Sequence, residues 1–225
     1  MAINLVKGQT IDLRKNDNGA DFDLSTVTIG LGWDIKKAPA SGGFLGKLMG
    51  GAKEPECDLD ATAFVLDKDG KVANMGHTKQ APDGRKIILY ESDVVYFNSM
   101  KHPSGNIWLT GDNRTGAGDG DDEQIIVKLN ALDPKHDRIV FMVSIYMGIQ
   151  KRQHFGMVDN AFIRAVDGAG KEIARFSLSG NAAYNNMCSM TFAELYRKDG
   201  TWKFRALGDP QPTDSFVEIL KNYTR

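Results

Sequence analysis

Long apolar runs are missing from this sequence. The longest uncharged, mostly apolar stretch runs from Ile139 to Ile149, well short of the roughly 20 residues that a helix needs to span a bilayer. No transmembrane helix is expected. The N-terminal residues lack the apolar core of a secretory leader, because Lys7 and Gly8 interrupt their one apolar stretch; the expected location is the cytoplasm. Cysteine is scarce, with only Cys57 and Cys188. Without a secretory signal, these read as reduced structural thiols and no disulfide is expected. Net charge is nearly absent too, with 28 Lys and Arg against 29 Asp and Glu. That balance argues against a nucleic-acid partner held through overall charge. Catalytic signatures are equally sparse. No Gly-x-Ser-x-Gly elbow, phosphate-binding Gly-x(4)-Gly-Lys-Ser/Thr loop or Gly-x-Gly-x-x-Gly spacing occurs. His77, His102, His136 and His154 are scattered without metal-ligand spacing and read as surface or turn residues.

What the chain does contain is a globular composition, 41% hydrophobic and 25% charged over 225 residues, enough to bury a core. Val27, Ile29, Leu31 and Trp33 alternate with Thr26, Thr28, Gly30 and Gly32, the period of a strand with one face buried. The same alternation recurs at Ile125, Val127 and Leu129, and at Trp202, Phe204 and Ala206. Asp69-Gly70, Asp167-Gly168 and Asp199-Gly200 predict hairpin turns. One helix reads at the C-terminus, where Phe216, Ile219, Leu220 and Tyr223 make an apolar stripe behind a Ser215–Glu218 capping box. The expectation is an all-β fold, a β-sandwich of two mainly antiparallel sheets with a short C-terminal helix, forming a single domain over residues 1–225.

Two glycine-rich segments break the strand pattern. Residues 36–53 carry four lysines, five glycines and no acid. They read as a surface loop insertion whose Phe44, Leu45, Leu48 and Met49 could touch an anionic membrane surface or a partner. From Asp112 to Glu123 the chain carries five acids and one base, Arg114, a net charge of −4. Glycines there let carbonyls turn inward beside carboxylates, the hard oxygen donors that Ca2+ takes in preference to Zn2+. The pattern is not an EF-hand, because Arg114, Gly116 and Ala117 stand where that loop needs ligands and its glycine. A solvated acidic loop is the plainer alternative. A second source of carboxylates is Asp58 and Asp60, which share one face of an extended strand. Asp21, Asp23 and Asp34 are further acids at strand ends or turns.

The blocks GLGWD (30–34), DLDATAFVLD (58–67), LTGDNRTGAGDGDDE (109–123), VDNAFIRAVD (158–167) and LYRKDGTWKFRALG (195–208) resemble the signature blocks of the tellurium-resistance TerD family. The 36–53 segment is similar to the insertion of its TerZ-like branch. The resemblance implies a cytoplasmic Ca2+-binding β-sandwich without catalytic activity, taking part in resistance to tellurite and other stresses. It also implies other tellurium-resistance proteins as partners, some of them membrane-associated. An oligomer is compatible with it. Carried over residue by residue, it implies Asp58, Asp60, Asp112, Asn113, Asp119, Asp121, Asp122 and Glu123 as metal ligands. From the residues alone the main rival is a carbohydrate-binding or glycoside-processing sandwich, since paired acids can work on glycosidic bonds.

Overall fold

The computed structural model describes residues 3–14, 19, 21–35, 57–111, 120–177 and 182–225. Alternation becomes two six-stranded sheets. One runs in the order β1 (Ile3–Asn4), β12 (Glu172–Ser177), β11 (Val158–Val166), β3 (Val27–Ile35), β9 (Glu123–Val127) and β8 (Ile107–Leu109). The other runs β2 (Thr10–Asp12), β14 (Thr201–Gln211), β13 (Ser189–Lys198), β10 (Arg138–Ile145), β4 (Leu59–Leu66) and β7 (Val94–Val95). A separate ribbon joins β5 (His77–Gln80) to β6 (Lys86–Tyr90). Within the two large sheets β1 pairs parallel with β12, and the other described pairings are antiparallel. The expected sandwich is present.

Between the sheets lies one continuous core. Ile29, Leu31, Trp33, Ile125 and Ile163 from the first sheet share it with Ala61, Val65, Phe141, Leu195 and Phe204 from the second. Each large apolar side chain taken out of water there contributes about 1.5–3 kcal/mol. The uncharged run at Ile139 is β10, a central strand buried on both faces, which is why it does not alternate. Its outward residues Val140 and Met142 join Phe64, Leu66 and Tyr96 in a second cluster. Helix α2 (Phe216–Leu220) covers that cluster by burying Ile219 and Leu220. The apolar stripe is therefore as expected, but the capping box does not form. Ser215 makes no side-chain cap bond; its amide instead donates to Thr213 Oγ1 at 3.1 Å.

The turn signals divide. Asp199 and Gly200, at φ 54° and 74°, close the β13–β14 hairpin with the two left-handed residues of a type I′ turn. Asp167-Gly168 opens the β11–β12 hairpin, but its left-handed glycine is Gly170. Asp69-Gly70 turns the chain after β4 without pairing β4 to the next segment. Among the described residues no helix is long and apolar enough to cross a membrane.

Gly30 and Gly32 lie on the outer face of β3 for a steric reason. The Gly120–Asp121 backbone crosses that face so closely that a Cβ on Gly32 would sit 2.5 Å from Gly120 O and 2.6 Å from the Phe162 ring. A Cβ on Gly30 would collide with the Asp121 carboxylate. Gly32→Ala is accordingly expected to lower stability by about 1–3 kcal/mol. Urea unfolding should show this as an earlier midpoint at an unchanged slope.

Candidate functional site

Strand pairing gathers the acidic blocks at one end of the sandwich. β7 pairs only with Ala63 and Phe64 of β4, so the Ala61 amide lies beyond its end. Glu123, pointing inward from the start of β9, takes that amide on Oε2 at 2.6 Å. Asp122 Oδ2 accepts the Trp33 amide at 2.9 Å, and the Trp33 indole donates to Cys57 O at 3.1 Å. These bonds bring Asp58 and Asp60, both buried, to the same end as Asp122 and Glu123. Asp112, Asn113 and Asp119, together with the 36–53 insertion, lie outside the described residues.

The gathered carboxylates do not play one role. Asp121, whose side chain is 1% exposed, lies across β3 and receives Arg164 of β11, Nε on Oδ1 at 2.7 Å and Nη2 on Oδ2 at 3.1 Å. Gln124 Nε2 adds a third donor at 3.1 Å. That pairing raises Arg164 above the usual guanidinium range and marks Asp121 as a buried anchor for the segment. Asp122 is the next acid along the chain. Burial pushes its carboxyl up, with the neighbouring charges of Asp34 and Asp121 adding and the Trp33 amide opposing. Asp34 is exposed and accepts Asn160 Nδ2 at 2.8 Å. Asp23 is a turn residue at the other end, taking the Ser25 amide on its own Oδ1 at 3.0 Å.

That other end holds a group the sequence reading missed. Among the described residues, Asp93, His102 and His136 bring one ligand-type atom each within 4.8 Å of one another. All three are buried, so the surface reading fails for His102 and His136, although each stands at a turn. The surface-or-turn reading fits His77, which is exposed, and His154, whose Nδ1 accepts the Gly156 amide in a turn. His102 Nε2 lies 3.0 Å from Asp93 Oδ1, and the Asn74 amide holds Asp93 Oδ2 at 2.8 Å. Burial pushes Asp93 up, but these two bonds outweigh it and its carboxyl lies below the usual range. Burial, with His102 beside it, holds His136 below the ordinary imidazole range. The two histidines come from separate loops, after β7 and before β10, and only the register of β4 with β7 and β10 brings those loops together. No spacing rule reports that proximity.

The thiols are buried and free. Burial pushes Cys57 up to about 12, and Cys188 upward as well, so neither favours the reactive thiolate.

The TerD domain model matches residues 1–78 and 83–223. Tellurium resistance protein TerX of Serratia marcescens is 54% identical over 223 residues, covering 99% of this chain and 100% of that protein. Stress response protein SCP2 of Bacillus subtilis (strain 168) is 38% identical over 224 residues, covering 99% of this chain and 100% of that protein. The crystal structure of a homologue of telluride resistance protein (TerD) from Streptomyces coelicolor A3(2) superposes with a TM-score of 0.56 at 24% identity, covering 86% of this chain and 94% of that one, and shares the fold. These relatives are named for resistance and stress rather than for a reaction. A family model spanning nearly the whole chain, on a two-sheet sandwich with its acidic blocks at one end, makes this chain a member of the TerD family of tellurium-resistance and stress-response proteins.

Proposed function

We propose that this protein is a non-enzymatic, cytoplasmic stress-response protein of one domain that binds Ca2+ at its acidic end and contributes to tellurite and chemical-stress resistance. The observation that carries this reading is the 2.6 Å bond from the Ala61 amide to Glu123, which joins two carboxylate blocks 62 positions apart. The donor set fits the ion: carboxylate oxygens, with Asp122 crowded by Asp34 and Asp121. Asp58, Asp60, Asp122 and Glu123 would hold it, with Asp112, Asn113 and Asp119 as further candidates, while Asp121 anchors the segment through Arg164. The ion would supply positive charge where the acids repel one another.

A contact surface adjoins this end. Tyr146 donates its amide to Asp58 O at 2.8 Å, and Tyr146, Met147 and Ile149 are exposed large apolar residues. Helix α1 (Gly148–Lys151) follows, ending in Lys151. An ordered acidic end would present these residues, with the 36–53 insertion, to a partner protein or an anionic membrane in a Ca2+-dependent way. Ca2+-dependent co-sedimentation with anionic liposomes that is lost on deleting 36–53 would favour the membrane. The carbohydrate reading has less support, because Asp122 and Glu123 bond to backbone amides and Asp121 to Arg164, rather than standing free as an acid pair on a glycosidic bond does.

Thermal melting tests the ion. At 100 times its dissociation constant Ca2+ should stabilise the fold by about 2.7 kcal/mol, an upward shift of roughly 5–10 °C for a domain of this size. Asp122→Asn should act in opposite directions. Its raised pKa means that ionised Asp122 costs stability at neutral pH, a cost relieved as pH falls through that pKa or as the charge is removed. In chelator the variant should therefore melt no lower than wild type, the Asn oxygen still accepting the Trp33 amide. With Ca2+ its shift should shrink. Coincident wild-type melts in Ca2+ and chelator would overturn the proposal.

A further inference from the structure

We propose that Asp93, His102 and His136 form a second metal site, for a divalent transition cation of the Zn2+ type. It lies at the opposite end of β4 from the acidic site. Asp60 stands near the start of that strand and Asp67, which lines the cavity beside the histidines, just past its finish. Seven residues of extended chain separate them by more than about 20 Å, so this site neither needs nor excludes the Ca2+ site.

Two imidazoles and one carboxylate are the donors that Zn2+ and Fe2+ take, and Ca2+ does not favour nitrogen. His102 Nε2 and Asp93 Oδ1 are 3.0 Å apart, a few tenths of an ångström closer than two tetrahedral donors on one ion at about 2.0–2.1 Å. The remaining atoms are held from behind. Asn74 fixes Asp93 Oδ2 at 2.8 Å, and Ser104 Oγ lies 2.8 Å from His102 Nδ1. The third group supplies the independent sign. His136 is 5% exposed, its ring stands edge-on to His102 at 5.1 Å, and its buried Nδ1 has no hydrogen-bond partner. Buried polar atoms rarely go unsatisfied. For Nε2 to take the ion, the His102 ring proton moves to Nδ1, where Ser104 Oγ at 2.8 Å accepts it in place of the Ser104 amide's bond. A cavity of about 450 Å³ opens onto the group, lined also by Asp133 and Lys135, with room for water in the remaining coordination positions.

The order Ser104, His102, Asp93 also resembles a proton relay. Ser104 Oγ, however, accepts the Asn106 amide at 3.2 Å while the Ser104 amide donates to the same His102 Nδ1 at 3.1 Å, the bonding of a local turn. A relay would also leave His136 unexplained.

The test titrates Zn2+, and separately Co2+, into the full chain held in saturating Ca2+. One equivalent should bind, Co2+ should give the visible absorption of a nitrogen-containing site, and zinc-edge X-ray absorption should show imidazole scattering. His136→Gln removes a donor whose Nδ1 makes no bond, and should weaken Zn2+ at least tenfold while leaving the Ca2+-dependent melt intact. Asp93→Asn provides a second variant of the same shape. The proposal is overturned if no Zn2+ binds under saturating Ca2+, if the bound zinc has an all-oxygen shell, or if folded His136→Gln binds as tightly as wild type. The absorption measurement decides on wild-type protein even if both variants fail to fold.

Discussion

Arg164→Met is expected to lower the stability of this protein by about 3–5 kcal/mol, the cost of leaving a buried charge without its partner. Asp121 is the charge at issue. Its side chain is 1% exposed and meets both arms of the Arg164 fork, at 2.7 and 3.1 Å, the bidentate geometry that makes such pairs strong. Methionine would fill much of the volume and supply no cation. Lysine should rescue only part of the loss, since a single ammonium cannot reproduce the planar fork. The reverse truncation should be mild. In Asp121→Asn the amide oxygen still accepts a bond, and Arg164, 27% exposed, retains Glu172 at 3.1 Å. A loss of about 1 kcal/mol is expected there. Urea unfolding of both variants, in Ca2+ and in chelator, checks the asymmetry. Equal losses would mean that Asp121 is not held as a buried ion. Because Arg164 pins the segment entering Asp122 and Glu123, its loss should also reduce the stabilisation gained from Ca2+, which a purely structural ion pair would leave unchanged.

The double role of that segment explains what could be read from the sequence. Val27 to Trp33 shows its strand directly, since period two reports only the local choice of faces. The same alternation gives Gly30 and Gly32 as outward positions, but not why they are glycine. That reason is a chain crossing 88 to 91 residues away in sequence. Asp121 likewise groups with its acidic neighbours until the adjacency of β11 and β3 brings Arg164 over it. The acidic end was legible because its carboxylates are contiguous in two blocks. The histidine group was not, because its residues come from three separate loops that share no spacing, and burial rather than pattern distinguishes His102 from His77. The capping box failed for a related reason. Ser215 and Glu218 stand at the right spacing, yet the Ser215 amide is already bonded to Thr213, and helix α2 is positioned by Ile219 and Leu220 instead.

A second effect of similar size is expected at Glu194, and it should be indifferent to metal. Glu194 on β13 has a side chain 2% exposed and pairs with two cations, Arg138 of β10 and Arg205 of β14. Both guanidinium groups also lie over the Tyr196 ring, at 5.8 and 5.4 Å. Either arginine alone can still compensate the carboxylate, so Arg138→Met and Arg205→Met should each cost about 1.5–3 kcal/mol, the range for a bond to a charged group. Together they strand Glu194 beside Tyr223, whose phenol burial already pushes up with Glu194 adding to the effect. The double variant should therefore exceed the sum of its singles, a loss of more than about 3–6 kcal/mol. Adding Glu194→Met to that background should recover much of the loss, because an apolar group of similar volume no longer needs the pair. If the double variant merely equals the summed singles, Glu194 is reaching water and the pair is a surface one. The same denaturation series in Ca2+ and in chelator should superimpose for these variants and diverge for Arg164→Met, which separates an ion pair that holds the sandwich from one that holds its acidic end.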